Sequence, residues 1–516
     1  MMKVGFDNPP KDNEKNEKKQ PKDLKVLMGV FFDGTGNNKY NIDYYKNPKK
    51  PRTKWNDSYK SDYSNVAYEY SAYKHTIDGN PVAGFDYIRR VYITGIGTAN
   101  RNIYLETDNL SDDMKKKADS KKEYKKNDSK SNAPENISYE GDSTFPGGAI
   151  GRGSMGVIPK IIIGCENIYK DLGLVIDVAS EKNTINKVEL SLDVYGFSRG
   201  AAAARCFINC ITKKHGKKSK DKESLISYWL KKKGYGYSKD DKVEVSVKVR
   251  FVGLYDTVSS YGGGVNLFNF NDVKELGLDC PDDVVEIGAG VQFCAADEYR
   301  KNFSLTTVDS YGGKIKQYIF PGAHSDVGGG YERTKNEPLK VPLNFLDVSE
   351  ILSGTEILAG FKYENELINE GWFVSQLNER TGKMEIEEYR EVINTYSLIP
   401  LFIMIKKTRE KGCDDIIEDD ALSDPTVRLD EAEKDLGEIR KRLENIVFSG
   451  GNALYEFSGG DDTVGNVGKR IKPCFNIGDD DHNLVRSIRH RYIHLSSHTT
   501  IVHKPQKGNI REVING

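Results

Sequence analysis

The stretch DVYGFSRGAAAAR, residues 193 to 205, places Ser198 between Gly196 and Gly200. An apolar run leads into it and an alanine-rich helix former leads out, which is the strand–turn–helix setting of a nucleophile elbow. In such a turn the nucleophile's backbone is strained, and side chains at Gly196 and Gly200 would collide. Ser198 then stands at a helix N-terminus, where the dipole and the Arg199 N–H can stabilise an oxyanion. Glycine is 49 of 516 residues, so the pentapeptide alone also fits a structural turn, and its context decides for the nucleophile.

A serine nucleophile needs a base, and the base needs a carboxylate to orient it. Asp256 closes the apolar run VRFVGLYD and His324 follows QYIFPGA. The chain order Ser, Asp, His is that of α/β-hydrolases, in which each partner follows a later strand. Taken singly, Asp256 also reads as a turn or cap residue and His324 as a packed histidine. Asp326 can orient the His324 loop or compete for the acid role, and chain order favours Asp256. The second half of an oxyanion hole is expected in DGTGNN, residues 33 to 38, from an N–H of Gly34 or Thr35. The alternative there is a tight Asp-Gly turn with Asp33 capping the next segment.

These residues need strands to hold them. VLMGVFFDG (26–34), RVYITGIG (90–97), VELSLDVYG (188–196), VSVKVRFVGLYD (245–256) and KQYIFPG (316–322) read as buried strands separated by helix-like segments. The fold class is α/β: an α/β-hydrolase-like, mostly parallel sheet with a helical accessory region and insertions. We expect a disordered or delivery-related tail over 1–23, a catalytic domain over 24–340, and a helix-rich accessory region over 341–516. Polar, lysine-rich insertions are expected at 101–140 and 211–243. YSLIPLFIMIKK, residues 396 to 407, is too short to span a bilayer and reads as a buried helix or as a lipid-contacting one.

Lys plus Arg number 76 against 77 Asp plus Glu, so no net field favours nucleic acid, which is not expected as a partner. The charged N-terminal stretch lacks the apolar core of a secretory signal, implying synthesis in the cytoplasm. Seven scattered cysteines without C-x-x-C pairs argue against a zinc site or disulfide framework. No cofactor or metal is expected. FFDGTGNN is similar to the start of haloacid-dehalogenase phosphatases, but Phe31 stands where their nucleophilic aspartate belongs. GRGSMG (151–156) lacks a preceding strand, so it reads as a glycine-rich lead into a helix rather than a dinucleotide fingerprint. His482, His490, His494, His498 and His503 cluster late in the chain. RYIHLSSHTTIVH alternates like a strand, which would scatter its histidines away from any one metal, and His494 or His498 remains an alternative base.

VFFDGTGNN, YITGIGT, YGFSRGAAAAR, FVGLYDTV, AADEYRKNF and FPGAHSDVGGGY occur in this order. The series resembles the successive motifs of type VI secretion phospholipase effectors of the Tle1 type, a family of α/β-hydrolases, over residues 24 to about 335. That resemblance implies a phospholipase A with Ser198, Asp256 and His324 as its triad, acting on membrane phospholipid. It also implies a cognate immunity protein, a spike, tube or adaptor partner, and delivery into a target-cell periplasm. Gln292, in QFCAADE, stands where the family commonly has histidine. The alternatives are a non-catalytic module of a secretion apparatus or an esterase with a non-phospholipid substrate.

Overall fold

The computed structural model describes residues 19–48, 55–76, 79–98, 155–212, 243–259, 276, 278, 287–300, 302–338, 366–378, 382–412, 414–459, 469–496 and 511–515. The expected insertion at 101–140 and nearly all of 211–243 lie outside them, as do His498 and His503.

Six strands form the central sheet: β1 (Gln20–Phe32), β2 (Tyr87–Ile93), β3 (Asn183–Phe197), β4 (Glu244–Tyr255), β5 (Ile287–Ala295) and, after the two-residue β6 (Leu305–Thr306), β7 (Ile315–Phe320). Their order is β2-β1-β3-β4-β5-β7, and every neighbouring pair is parallel. The expected α/β class with a mostly parallel sheet is what the chain forms. β1 starts at Gln20, paired with Asn183, so residues 20–23, expected in the tail, belong to the sheet. β5 escaped the strand reading because Gly288 and Gly290 break its apolar run. Both are needed, since a Cβ at either would lie 2.6 and 2.8 Å from the carbonyl oxygens of Arg250 and Val252.

Side chains alternate between the two faces of the sheet. On one face Phe32, Val194 and Val252 pack with α2 (Val157–Ser180) and α3 (Arg199–Thr212). Ala201 to Ala204 are fully buried, so α3 lies close to the sheet. Gly156 is the N-cap of α2, which agrees with the helix-lead reading of GRGSMG. On the other face Phe31, Tyr195, Phe251 and Phe293 pack with α1 (Asn65–Ala72) and with helices from beyond residue 390.

The largest of these contributions comes from the segment weighed as lipid-contacting. α5 (Leu398–Arg409) buries Leu398, Ile399, Leu401, Ile403, Met404 and Ile405, with Phe402 half-buried. A Cβ on Gly253 of β4 would lie 2.9 Å from Met404 Sδ, and Tyr195 Oη hydrogen-bonds Thr408 Oγ1 at 2.9 Å. The core reading of 396–407 fits and the lipid-facing one does not. Among the described residues, no helix is long and apolar enough to cross a membrane.

The boundary expected at residue 340 is not a boundary in packing. Thr334–Pro338 pairs antiparallel with Tyr389–Ile393 across it, and the later helices share one core with the sheet. An α/β sheet must be covered on both faces, and here the C-terminal third supplies the second cover. A four-stranded sheet then brings the chain end back: β8 (Lys469–Pro473) pairs with β9 (Glu512–Ile514), and β9 runs parallel to β6.

Leu401→Ala tests this shared core. Truncating a fully buried leucine costs about 2–5 kcal/mol, so chemical denaturation should show one transition shifted by that amount. A separate accessory domain would instead lose only its own transition.

Candidate active site

The order of the sheet decides where a site can form. From β1 the chain first adds β2 on one side and then returns to place β3 on the other, so the β1 and β3 loops flank a topological switch point. Those loops carry DGTGNN and the Ser198 turn.

Ser198 adopts φ +60°, in the left-handed region that non-glycine residues rarely occupy. Its N–H donates to Tyr255 O at 2.9 Å, and its carbonyl accepts from Ala201 N–H at 3.0 Å and Val258 N–H at 3.3 Å. The turn is thus tied to α3 and to the end of β4. A Cβ on Gly196 would come within 2.6 Å of Ala201 Cα, and one on Gly200 within 2.2 Å of Asp33 O. Both glycines are required by close packing, as the sequence suggested.

Asp256 is the second strained position, at φ +47°. Its N–H donates to Phe293 O at 2.7 Å, and Ala295 N–H donates to its Oδ1 at 2.8 Å. His324 opens the one-turn helix α4 (His324–Gly328), and its Nδ1 lies 2.5 Å from Asp256 Oδ2. The His324 ring is held between Phe197, with centroids 4.7 Å apart, and the edge of Phe303 at 5.0 Å. Its Nε2 is buried with no hydrogen-bond partner among the described residues. Since Phe197 immediately precedes Ser198, the imidazole lies beside the serine turn with one nitrogen anchored and the other uncommitted.

Burial pushes the His324 pKa below the usual histidine value, outweighing the opposing pull of Asp256. Burial alone would raise Asp256, but the charge of Arg511 and the bonds to His324 and Arg511 hold it down at about 2. The pair is therefore an ionised carboxylate against a neutral imidazole near pH 7.

Arg511 was not legible in the sequence. It stands immediately before β9, 255 positions after Asp256, with Nη1 2.6 Å from Asp256 Oδ1 and Nη2 2.7 Å from Oδ2. Nothing in the local pattern REVING marks it. Glu298 and Arg300, within AADEYRKNF, carry no signal of their own in the sequence. Arg300 forks onto Glu298 at 2.9 and 2.8 Å, and Glu298 Oε2 accepts from His324 N–H at 3.3 Å.

Asp326 does not compete for His324. Its Oδ2 accepts from Ala323 N–H and His494 N–H, each at 2.9 Å, and its Oδ1 meets His494 Nδ1 at 2.7 Å. His494 is therefore a partner of the His324 loop, stacked on Tyr331 at 3.9 Å, rather than the partner of Asp256. The strand expected around 491–503 does not begin where it was placed: α6 (Asp480–Tyr492) runs through His490 and Tyr492. His490 binds Glu387 at 2.6 Å, and His482 Nδ1 accepts from Gly478 N–H at 3.1 Å. Among the described residues no group of three or more His, Cys, Asp or Glu is placed to hold a metal.

The first-strand loop corrects one assignment. Gly34 N–H is taken by Asp33 Oδ1 at 2.7 Å, so it is not free to face an oxyanion. Asp33 itself is buried, accepts from Ser64 Oγ at 2.5 Å and from Tyr92 Oη, and is raised by burial to about 6. It anchors the loop rather than capping the next segment, whose N-cap is Asn38. Thr35 Oγ1 is buried without a partner among the described residues. Arg199, as the first residue of α3, has no intrahelical acceptor for its N–H. Its side chain is 8% exposed, and Nη1 has no partner among the described residues. Gln292 accepts from Thr257 Oγ1 and donates to Thr306 O at 3.0 Å, which steadies the turn after Asp256.

Residues 191–347 match the family model for the T6SS phospholipase effector Tle1-like catalytic domain, in agreement with the motif series. Among solved structures, the Tle1 effector bound to the VgrG spike from the Type 6 secretion system aligns over 96% of this chain and 95% of its own, at 19% identity and a TM-score of 0.52, which shows a shared fold. An uncharacterized protein from Pseudomonas aeruginosa aligns over 83% of this chain and 52% of its own, at 17% identity and a TM-score of 0.36, too distant to bear on the fold. No curated protein matches the sequence.

Gly200→Ala tests the packing of the turn against the first-strand loop. Its methyl would sit 2.2 Å from a backbone oxygen, which only a backbone shift can relieve. The expected cost is about 1–3 kcal/mol or more, read as a fall in melting temperature. An unchanged melting temperature would mean that α3 does not abut Asp33.

Proposed function

We propose that this chain, whose residues 191–347 match the Tle1-like catalytic domain, is a serine ester hydrolase of the phospholipase A type acting through Ser198, His324 and Asp256. The observation that carries this reading is the strained serine at the switch point beside a histidine whose Nδ1 is held by a buried, ionised aspartate. His324 Nε2 takes the proton from Ser198 Oγ as the oxygen attacks the acyl carbonyl, and Asp256 stabilises the imidazolium. The tetrahedral oxyanion is met by the Arg199 N–H and by Thr35, each with a donor suited to it. His324 then returns its proton to the leaving alkoxide, and water repeats the sequence on the acyl-enzyme.

Phospholipid as substrate is supported by the family match and by the Arg199 guanidinium. Burial lowers its pKa only to about 10, so it stays charged at neutral pH. Among the described residues no acidic side chain pairs with it, and such a cation favours an anionic group on whatever occupies the site, which the phosphodiester of a phospholipid supplies. The spike-bound neighbour supports a role as a secreted effector carried by a spike protein; delivery into a target-cell periplasm and a cognate immunity protein are part of the same proposal and rest on the motif series alone.

Two measurements test the reading. Ser198→Ala and His324→Ala should each abolish hydrolysis of a short p-nitrophenyl ester and of phosphatidylglycerol vesicles, a loss on the order of 10⁶ in turnover, with melting temperature retained for the serine variant. Full activity in Ser198→Ala would sink the triad. Arg199→Gln should lower kcat/KM on phospholipid by about 10-fold to 100-fold while a neutral diacylglycerol is less affected, since a hydrogen bond to a charged group is worth about 1.5–3 kcal/mol. Equal losses on both substrates would remove Arg199 from phosphate recognition.

A further inference from the structure

The C-terminal strand delivers a cation into the heart of the candidate site. Arg511 is 2% exposed and every nitrogen of its guanidinium is engaged. Nη1 and Nη2 fork onto the two oxygens of Asp256 at 2.6 and 2.7 Å. Nη1 also donates to Ala295 O at 2.8 Å, while Nε and Nη2 reach Phe303 O at 3.1 and 3.0 Å. β9 is fixed on both sides, Val513 against Leu305 of β6 and against Lys469 of β8, and Thr307 N–H donates to Ile514 O at 2.9 Å. A strand of three residues is therefore held by two others, and what it presents is the arginine. The carboxylate it grips is the one that orients His324.

We infer that Arg511 is a positioning residue for the Ser198 reaction: its fork fixes the Asp256 carboxylate toward His324, and its charge keeps the Asp256–His324 pair unprotonated at working pH. The inference rests on the triad reading and deepens it. The physical argument has two parts. A carboxylate gripped at both oxygens by a planar fork cannot rotate, so the 2.5 Å bond to His324 Nδ1 keeps its direction. The second part is electrostatic. With Arg511 in place, Asp256 and a neutral His324 form a buried cluster of zero net charge. Without it the same pair carries one uncompensated negative charge, and a buried pair in that state takes up a proton more readily, whichever atom holds it. Among the described residues the other charged groups facing His324 cancel one another, because Glu298 beside its N–H is neutralised by Arg300. Asp326, on the helix that His324 opens, is committed to His494. Arg511 is thus the charge that sets the balance.

The test is the pH dependence of kcat/KM on a soluble p-nitrophenyl ester for the full chain and for Arg511→Gln and Arg511→Lys, with Ser198→Ala as control. In the unaltered protein the acid limb should fall below the ordinary histidine value of about 6.5, because the base must be neutral to act. Arg511→Gln should move that limb upward by about one pH unit and lower the plateau kcat at least 10-fold, with KM within about 2-fold. Arg511→Lys keeps the charge and loses the fork, so the limb should stay in place while kcat falls about 10-fold. A residue that only holds the strand down would lower activity and melting temperature together in both variants with the limb unmoved, and that result overturns the inference. So does an unchanged kcat in Arg511→Lys, which carries the test alone if Arg511→Gln does not fold. An active Ser198→Ala would instead overturn the triad reading itself, independently of either arginine variant.

Discussion

A carboxylate buried in a strained turn is the constraint on which much of this structure depends. Asp256 has no exposed surface and a left-handed backbone, so its charge and its conformation must both be compensated by neighbours. The chain answers from three directions: the Ala295 N–H from the end of β5, the His324 imidazole from the loop after β7, and the Arg511 fork from the last strand. Each of these groups is brought in by a different part of the sequence. A fold that failed to close any one of them would leave a buried charge poorly paired, which is costly enough to reject the arrangement.

Close backbone approach is the second organising feature. The β1 loop, the Ser198 turn and α4 touch one another through positions where a side chain cannot fit. A Cβ on Gly95 would fall 1.8 Å from Gly34 O, and one on Gly328 2.1 Å from the Phe197 ring. Phe197 thereby lies among the Gly34 loop, the Ser198 turn and the His324 helix. Gly34 of DGTGNN and the glycines of HSDVGGG serve packing, whereas Gly36, at φ +78° with open space around it, serves backbone conformation, and the aromatic ring between the two loops sets the spacing of the site.

The C-terminal third does structural work that its charged sequence conceals. α5 covers the sheet face opposite α3, and Asn65 of α1 donates to both Val327 O and Ser397 O at 2.9 Å, joining the His324 loop to the base of α5. His494 continues that support through Asp326. The helices after residue 390 are therefore part of the same layered α/β unit, not an appendage to it.

Legible in the sequence alone were the class of sheet, five of its six strands, the serine turn, and the two residues that meet at 2.5 Å. These were legible because each is a local signal: a run of buried apolar residues, a glycine on either side of a serine, a polar residue at the end of a strand. It did not show β5, whose apolar run is interrupted by glycines that serve close packing against β4. Nor did it show that Gly34 spends its N–H on Asp33, or that α5 faces the sheet rather than lipid, since an apolar helix looks the same against either. Arg511 is the clearest case. Its partner lies 255 positions away, and no composition or period links the two. A charge pair of that separation exists only once the strands on either side of it have been set in register, so only the tertiary structure could decide it.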